Sequence, residues 1–264
     1  MNTSSFDEAI SFLRNNISQD PYAVALGKTD VGDYVTVSMQ KTGNILIDGT
    51  AGSGKTTLEL NIVATLLQSS INDHIQLVFV TPKYAEFALF KNIPQLYCPI
   101  VKDCDEFTKT IHNVYEEMQH RIELMNSSNS RTLTDYNIST NSKIPQIYIV
   151  IDEYLDLIDQ EFKEDELKLI LMKGRPAGIH VILATQRPGS APKGFIRDYF
   201  STKVALLTST PFDSKAIIDV EGAELLNGNG DGLVKQDSVE QIKHIKVPYI
   251  SNVEIRNIIN SSKN

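Results

Sequence analysis

The 264-residue sequence predicts one α/β domain built on a mostly parallel central sheet with helices on both faces. Three observations carry that reading. Short apolar strands alternate with amphipathic helices, a glycine-rich loop sits between one strand and the next helix, and another apolar strand runs into two carboxylates. Composition agrees, at 41% hydrophobic and 22% charged residues, and a chain of this length buries a core without disulfide or metal staples. No apolar run approaches the roughly 18 residues of a membrane helix; the longest tight one is Ile147 to Ile151. The start, MNTSSFDEAI, lacks the basic region and apolar block of a secretory signal, which predicts a cytoplasmic protein. Cys98 and Cys104 are too few for a disulfide framework, and the five histidines lack ligand spacing, so no zinc site is expected.

The elements follow in order. Residues 1–19 read as an N-terminal helical extension, with Phe6, Ala9, Ile10 and Leu13 at helical spacing, and Asp20-Pro21 breaks it. Residues 20–264 read as a single domain with no internal repeat or long linker. Valine-rich strands at 22–26 and 34–38 flank a Gly/Asp turn at Asp30 to Asp33. Ile45-Leu46-Ile47 is a buried strand, followed by the loop Asp48 to Gly54 and a helix carrying Leu60, Ile62, Val63, Leu66 and Leu67. Ile75 to Val80 is a strand stopped by Pro82. From Asp105 to Met125 a helix presents Phe107, Ile111, Val114, Met118, Ile122 and Met125 as one apolar stripe. Residues 126–143, rich in Asn, Ser and Thr, read as a surface loop. Strands at 147–151, 180–184 and 203–208 complete the pattern, with a helix from Glu164 to Met172 between the first two.

The chemistry lies at the strand ends. Gly49-Thr50-Ala51-Gly52-Ser53-Gly54-Lys55-Thr56 fits G-x-x-x-x-G-K-[ST] at every fixed position, after a strand and opening a helix. Glycines let successive N–H groups turn inward onto phosphate oxygens, and the helix N-terminus adds favourable partial charge. Lys55 is expected on the β- and γ-phosphates and Thr56 on Mg²⁺, which makes ATP and Mg²⁺ the expected ligands. The apolar strand 147–151 runs into Asp152-Glu153, the Walker B arrangement. Asp152 would hold Mg²⁺ through its water shell and Glu153 would polarise the attacking water. A binder without hydrolysis needs the first carboxylate alone, so the second favours ATPase activity. Asp156 and Asp159 read as a solvated face. Gln186 ends the strand at 180–184, beside the acidic strand, where it could sense the γ-phosphate.

These residues resemble a known family, the motor domain of the FtsK/SpoIIIE DNA translocases within the FtsK–HerA group. The resemblance runs from about Asp20 to the C-terminus. It includes ALGKTDVGD, TPKYAEFALFKNIPQL, EEMQHRIELM, IYIVIDEYLDL, RPAGIHVILATQRP and DSKAIIDVEGAELLNGNGDGL. It implies a RecA-like P-loop NTPase core that assembles as a homo-oligomer, a ring of six around double-stranded DNA with ATP between subunits. Gly49 to Thr56 and Thr57 match the family's nucleotide loop, Asp152 and Glu153 its acidic pair, and Gln186 its sensor. Two positions depart. Thr81 stands where the family has Asp before Pro-Lys. Lys203 stands where these motors present an arginine to the neighbour's nucleotide, and lysine offers a point charge without the planar fork. Either Lys203 suffices, or Arg175 or Arg187 serves instead, or hydrolysis is slow.

The family's DNA contacts come from pore-lining loops, which map here to Lys215 and to the segment carrying Lys235, Lys243 and Lys246. Such contacts go to phosphates and carry no sequence information. The net charge of -8 argues against a surface that holds DNA everywhere, but a ring can be acidic outside and basic in its lumen. Full-length members add a membrane-anchored region, a linker and a winged helix, which the resemblance does not include. It therefore predicts a stripped motor from a plasmid, conjugative or phage gene, working with a separate membrane or DNA-processing partner that could bring it to the membrane. Two other readings stay open: a protein-export ATPase of the type VII kind, and a ring-forming nucleotide-binding scaffold with weak hydrolysis.

Overall fold

The apolar segments become strands close to where their composition puts them. The computed structural model describes residues 6–16, 20–68, 74–157, 164–186 and 194–262. Its strands are β1 (Ala23–Lys28), β2 (Tyr34–Ser38), β3 (Ile45–Asp48), β4 (Ile75–Val80), β5 (Gln146–Ile151), β6 (Ile179–Thr185), β7 (Thr202–Leu206), β8 (Asp231–Gln236) and β9 (Val239–Lys246). They form one sheet in the order β2-β1-β9-β8-β7-β3-β6-β5-β4. From β7 to β4 every pairing is parallel, and β3, β5, β6 and β7 are buried along their whole length. Strands covered on both faces have no reason to alternate polar and apolar residues, which is why they read as continuous apolar runs. From β7 to β2 the pairings are antiparallel.

Helices cover both faces. On one lie α3 (Lys55–Gln68), α1 (Phe6–Asn16) and α11 (Asn252–Ser261), whose Leu58, Ile62, Phe6, Ile10, Ile255 and Ile258 share a core with Ile45, Ile47 and Tyr148. The N-terminal helix is thus packed on the same body, with Lys28 pairing Glu8 at 2.9 Å; the Leu13 side chain lies outside the described residues. On the other face lie α5 (Cys104–Ser127) and α8 (Asp165–Lys173). There Phe107, Ile111, Val114 and Met118 meet Leu167, Ile170, Ile149 and Val181, as the stripe predicts, with Ile122 at its half-buried margin.

Two expectations need correction. Residues 126–143 are not a loop throughout: Leu133–Thr140 forms α6. Thr132 Oγ1 accepts from Asp135 N and Asp135 Oδ2 accepts from Thr132 N, each at 3.1 Å, so two of the orphan N–H groups at a helix start are satisfied reciprocally. Leu133 is buried and its N–H donates to Pro176 O at 2.8 Å, which anchors a helix whose other residues are too polar to show a stripe. The segment Lys235 to Lys246 is likewise no loop. It spans the hairpin of β8 and β9, joined by the two-residue turn Asp237-Ser238, and its lysines sit on strands of the sheet.

Candidate nucleotide site

β3 delivers the chain into residues 49–54, and α3 begins at Lys55. The loop is braced from the β7 side. Thr50 N and Oγ1 both donate to Leu207 O, at 2.8 and 3.0 Å, and Gly230 N donates to Ser53 O at 2.7 Å. Gly54, at φ +112°, lies against this brace: a Cβ there would sit 2.6 Å from Gly230 N. Lys55 bends over the loop, its Nζ donating to the carbonyls of Gly49 (2.8 Å) and Thr50 (2.9 Å). Burial pulls its ammonium pKa down, against Glu153, Asp48 and Glu59, which favour the charge.

The acidic pair arrives two strands away, at the end of β5, with β6 between it and β3. Asp152 N donates to Val80 O at 2.9 Å, and Thr81 Oγ1 donates to Asp152 Oδ2 at 3.2 Å. The residue expected to be Asp before Pro-Lys is therefore a hydroxyl that orients Asp152, at no cost in like charge. Asp152 Oδ1 is buried without a hydrogen-bond partner. Glu153 takes a left-handed backbone conformation, φ +54°, which is uncommon and costly for a non-glycine residue. Its Oε1 accepts from Lys83 Nζ at 2.7 Å and from the amide of Gln186, which β6 brings to it. So the structure joins Glu153 with the predicted sensor, and adds Lys83, whose pKa is raised by this hydrogen bond.

Burial sets the electrostatics of the site. Burial pushes Asp152 up to about 6, with Glu153 adding to it. Burial likewise pushes Asp48 up to about 8 and holds Glu59, wholly buried one turn along α3, well above the usual carboxylate range. A divalent cation fits the orphaned Asp152 Oδ1 and the repulsion between Asp152 and Glu153, with Asp152 and Thr56 as the residues that would hold it. Among the described residues no three His, Cys, Asp or Glu group as a self-contained metal site. The sequence reading missed Lys83, Glu59 and Asp48 as members of the site. Lys83 follows a strand end next to the acidic one, and Glu59 interrupts the apolar face of α3; those were the available signals.

The remaining predicted residues lie elsewhere. Lys203 is buried in β7, paired across the sheet with Lys235. On that face Lys235 Nζ meets Asp219 at 2.6 Å and Arg197 approaches the same carboxylate at 3.5 Å. Burial would raise Asp219, but Lys235, Arg197 and Lys203 together hold it below its ordinary value. Lys215, on α10 (Pro211–Ile218), pairs with Glu221 at 2.8 Å. Lys246 Nζ donates to Gly228 O, and Lys246 shares the face of Lys203 and Lys235, whereas Lys243 points to the opposite face with Val234 and Ile245. The four DNA candidates therefore do not form one patch within a single subunit. Arg175 precedes β6, at the far end of the strands from the nucleotide loop, and donates to Lys41 O. Asp156 is exposed, as a solvated face requires. Arg187 and Asp159 lie outside the described residues.

The profile of the FtsK/SpoIIIE family matches residues 14–190, which contain the loop, the acidic pair and Gln186. The chain belongs to the FtsK/SpoIIIE family. It is 33% identical over 253 residues to DNA translocase FtsK of Helicobacter pylori strain J99, a match covering 93% of this chain and 30% of that protein. It is 32% identical over 250 residues to DNA translocase SftA of Bacillus subtilis, covering 92% and 26%. The chain thus spans about a third or less of these relatives' length. Among solved structures, the pCW3 conjugation coupling protein TcpA, in a monomer form with ATPγS, superimposes with a TM-score of 0.82 at 20% identity, covering 95% of this chain and 73% of that one. The cytoplasmic domain of the type VII secretion ATPase EccC of Thermomonospora curvata gives 0.78 at 22% identity, covering 92% and 31%. Both share the fold of P-loop ATPases, and the RecA-like core expected from the sequence is present.

Proposed function

We propose that this FtsK/SpoIIIE-family chain is an ATP-driven translocase motor for double-stranded DNA, working as a homo-oligomeric ring of six and encoded by a mobile element. The observation that carries the ATPase half is the meeting of Glu153, Lys83 and Gln186 beside the phosphate loop. In this reading the loop and Lys55 hold the triphosphate, and Thr56 and Asp152 hold Mg²⁺. The ion neutralises charge on the phosphates when bound. Glu153 orients and deprotonates the attacking water, and Gln186, on the strand between loop and acid, registers the γ-phosphate. Residues 20–264 are the motor domain, with 1–19 as an N-terminal extension of which Phe6 and Ile10 pack against it.

The DNA half rests on kinship with proteins named DNA translocases. Lys235 and Lys246 share one face of the sheet, where Asp219 pairs with Lys235 and Asp231 stands opposite Lys246, Lys215 lies on the helix nearby, and Lys243 is on the other face, so the lysines reach DNA as one set only between subunits. No described helix is long and apolar enough to cross a membrane. The proposal places the chain in the cytoplasm, with a membrane or DNA-processing partner that recruits it.

The test is ATP hydrolysis with and without long linear double-stranded DNA at low and moderate salt, with Lys55→Ala as the blank. The expected result is strong stimulation that weakens as salt rises, because phosphate contacts release counterions. Appreciable hydrolysis indifferent to DNA would instead favour protein export, and nucleotide binding without hydrolysis would favour a scaffold. In the same assay Lys203→Arg is expected to raise DNA-stimulated turnover at least tenfold if Lys203 is the group acting on the neighbouring nucleotide, since a trans-acting arginine is worth about 10³–10⁵. No change would mean that Lys203 already suffices or that Arg175 or Arg187 serves instead.

A further inference from the structure

We infer that His244 is a proton-controlled clasp. Charged, it ties the β1–β2 turn to the 227–231 turn that braces the nucleotide loop; neutral, it releases that tie and weakens ATP binding. The effect on ATP rests on the nucleotide reading above, whereas the clasp itself does not.

The His244 ring stands between two carboxylates. Its Nδ1 lies 2.9 Å from Asp30 Oδ2, in the turn between β1 and β2, and its Nε2 lies 2.6 Å from Asp231 Oδ1, at the start of β8. Ionised carboxylates only accept, so both nitrogens must donate, and only the imidazolium carries two N–H groups. A neutral ring turns one lone pair on a carboxylate and gives up that bond. The bond given up is the one to Asp30, whose side chain is 81% exposed and easily hydrated, whereas Asp231 is buried.

The other charges around the ring are engaged elsewhere. Lys28, opposite Lys246 where β1 meets β9, pairs with Glu8, and Lys246 Nζ donates to Gly228 O at 3.3 Å. Lys235, further along β8, pairs with Asp219. On α10 and the turn after it, Glu221 holds Lys215 and Glu224 accepts from Gly222 N. Asp33, the other acid of the β1–β2 turn, closes that turn through its backbone and Thr29. Asp30 raises the His244 pKa most, partial burial opposes it, and Asp231 adds to the rise.

Asp231 links the clasp to the nucleotide loop. Its Oδ2 accepts from Asn227 N and Nδ2, both at 2.9 Å, and closes the turn whose Gly230 N donates to Ser53 O. The ring's positive charge strengthens its hold on that carboxylate by Coulomb attraction. A histidine whose pKa is higher folded than unfolded stabilises fully below its unfolded value of about 6.5, and the contribution is lost as pH rises through the folded value. Asp152, at about 6, and Asp48, at about 8, titrate in the same range, so each pH compares wild type with His244→Gln.

Proton NMR of the five histidine rings, with His244→Gln identifying the resonance, should give a His244 midpoint above about 6.5 that falls toward that value in Asp30→Asn. Calorimetry should show wild type binding Mg-ATP about fivefold more tightly than His244→Gln near pH 6, and within about twofold near pH 9. By reciprocity, Mg-ATP should raise the His244 midpoint by about 0.7, the logarithm of that fivefold preference. A midpoint at or below about 6.5, a midpoint unmoved by Asp30→Asn, or the same affinity ratio at both pH values would each overturn the inference. Wild type that binds no ATP at any pH would instead remove the nucleotide reading, and the midpoint with its fall in Asp30→Asn would still decide the clasp.

Discussion

Glu153→Gln is expected to lower ATP hydrolysis by about 10²–10⁴ while leaving ATP affinity within about threefold, the range for removing a positioned general base. The substitution keeps side-chain shape and removes the capacity to take a proton. It also leaves the backbone demand unchanged, since glutamine meets the same left-handed conformation at φ +54°. The ion pair with Lys83, at 2.7 Å, becomes a hydrogen bond from the Lys83 ammonium to a neutral amide oxygen, and the amide of Gln186 still finds an oxygen. Single-turnover hydrolysis measured beside equilibrium ATP binding separates the two quantities. A loss confined to turnover supports Glu153 as the base. Retained turnover would move the role to another acid, and Glu59, wholly buried beside the loop, is the group that would then have to open to water.

The parts of this molecule that could be read from sequence are those where one physical demand dominates. Residues 45–48, 146–151 and 179–185 are buried on both faces, so apolar composition alone marks them as strands. The nucleotide loop is legible because its glycines, lysine and hydroxyl each answer a separate requirement of phosphate binding. Where two demands compete, the reading failed. Residues 133–140 carry loop composition, and the helix forms because Thr132 and Asp135 cap it and Leu133 anchors it. The same box at Ser251 and Glu254 opens α11, where the apolar Ile255, Ile258 and Ile259 do repeat at helical spacing and yet the short C-terminal run drew no assignment. In β8 and β9 half-exposed strands must carry polar residues on one side, and that polarity conceals the strand. Lys83 was invisible for another reason. Its role depends on a partner 70 residues away that only the β4–β5 pairing brings into reach.

Gly54→Ala is expected to abolish measurable ATP binding, a loss of at least about 100-fold, whereas Gly52→Ala weakens it no more than about tenfold. Both glycines have positive φ, +74° at Gly52 and +112° at Gly54, so either alanine pays a backbone cost of about 1–2 kcal/mol. The space around them differs. Nothing lies within 4 Å of a Cβ on Gly52, but one on Gly54 would stand 2.6 Å from Gly230 N and 2.8 Å from Gly230 Cα. Those are backbone atoms, and they are held: Gly230 N binds Ser53 O, Val247 N binds Gly230 O, and Asp231 accepts from Asn227. Relief therefore requires the 227–230 turn to part from the phosphate loop, which removes the brace that shapes residues 50–53. Thermal melting distinguishes the two variants without an activity assay. Saturating ATP at about 100 times its Kd adds roughly 2.7 kcal/mol to a protein that binds it. At about 2–4 °C per kcal/mol, wild type should gain on the order of 5–10 °C, Gly52→Ala a smaller shift, and Gly54→Ala none. A full ATP shift in Gly54→Ala would mean that the turn can leave without deforming the loop. The contact of Gly54 with Gly230 would then be incidental, and the nucleotide site would be shaped by β3, α3 and the bonds of Thr50 to Leu207 O.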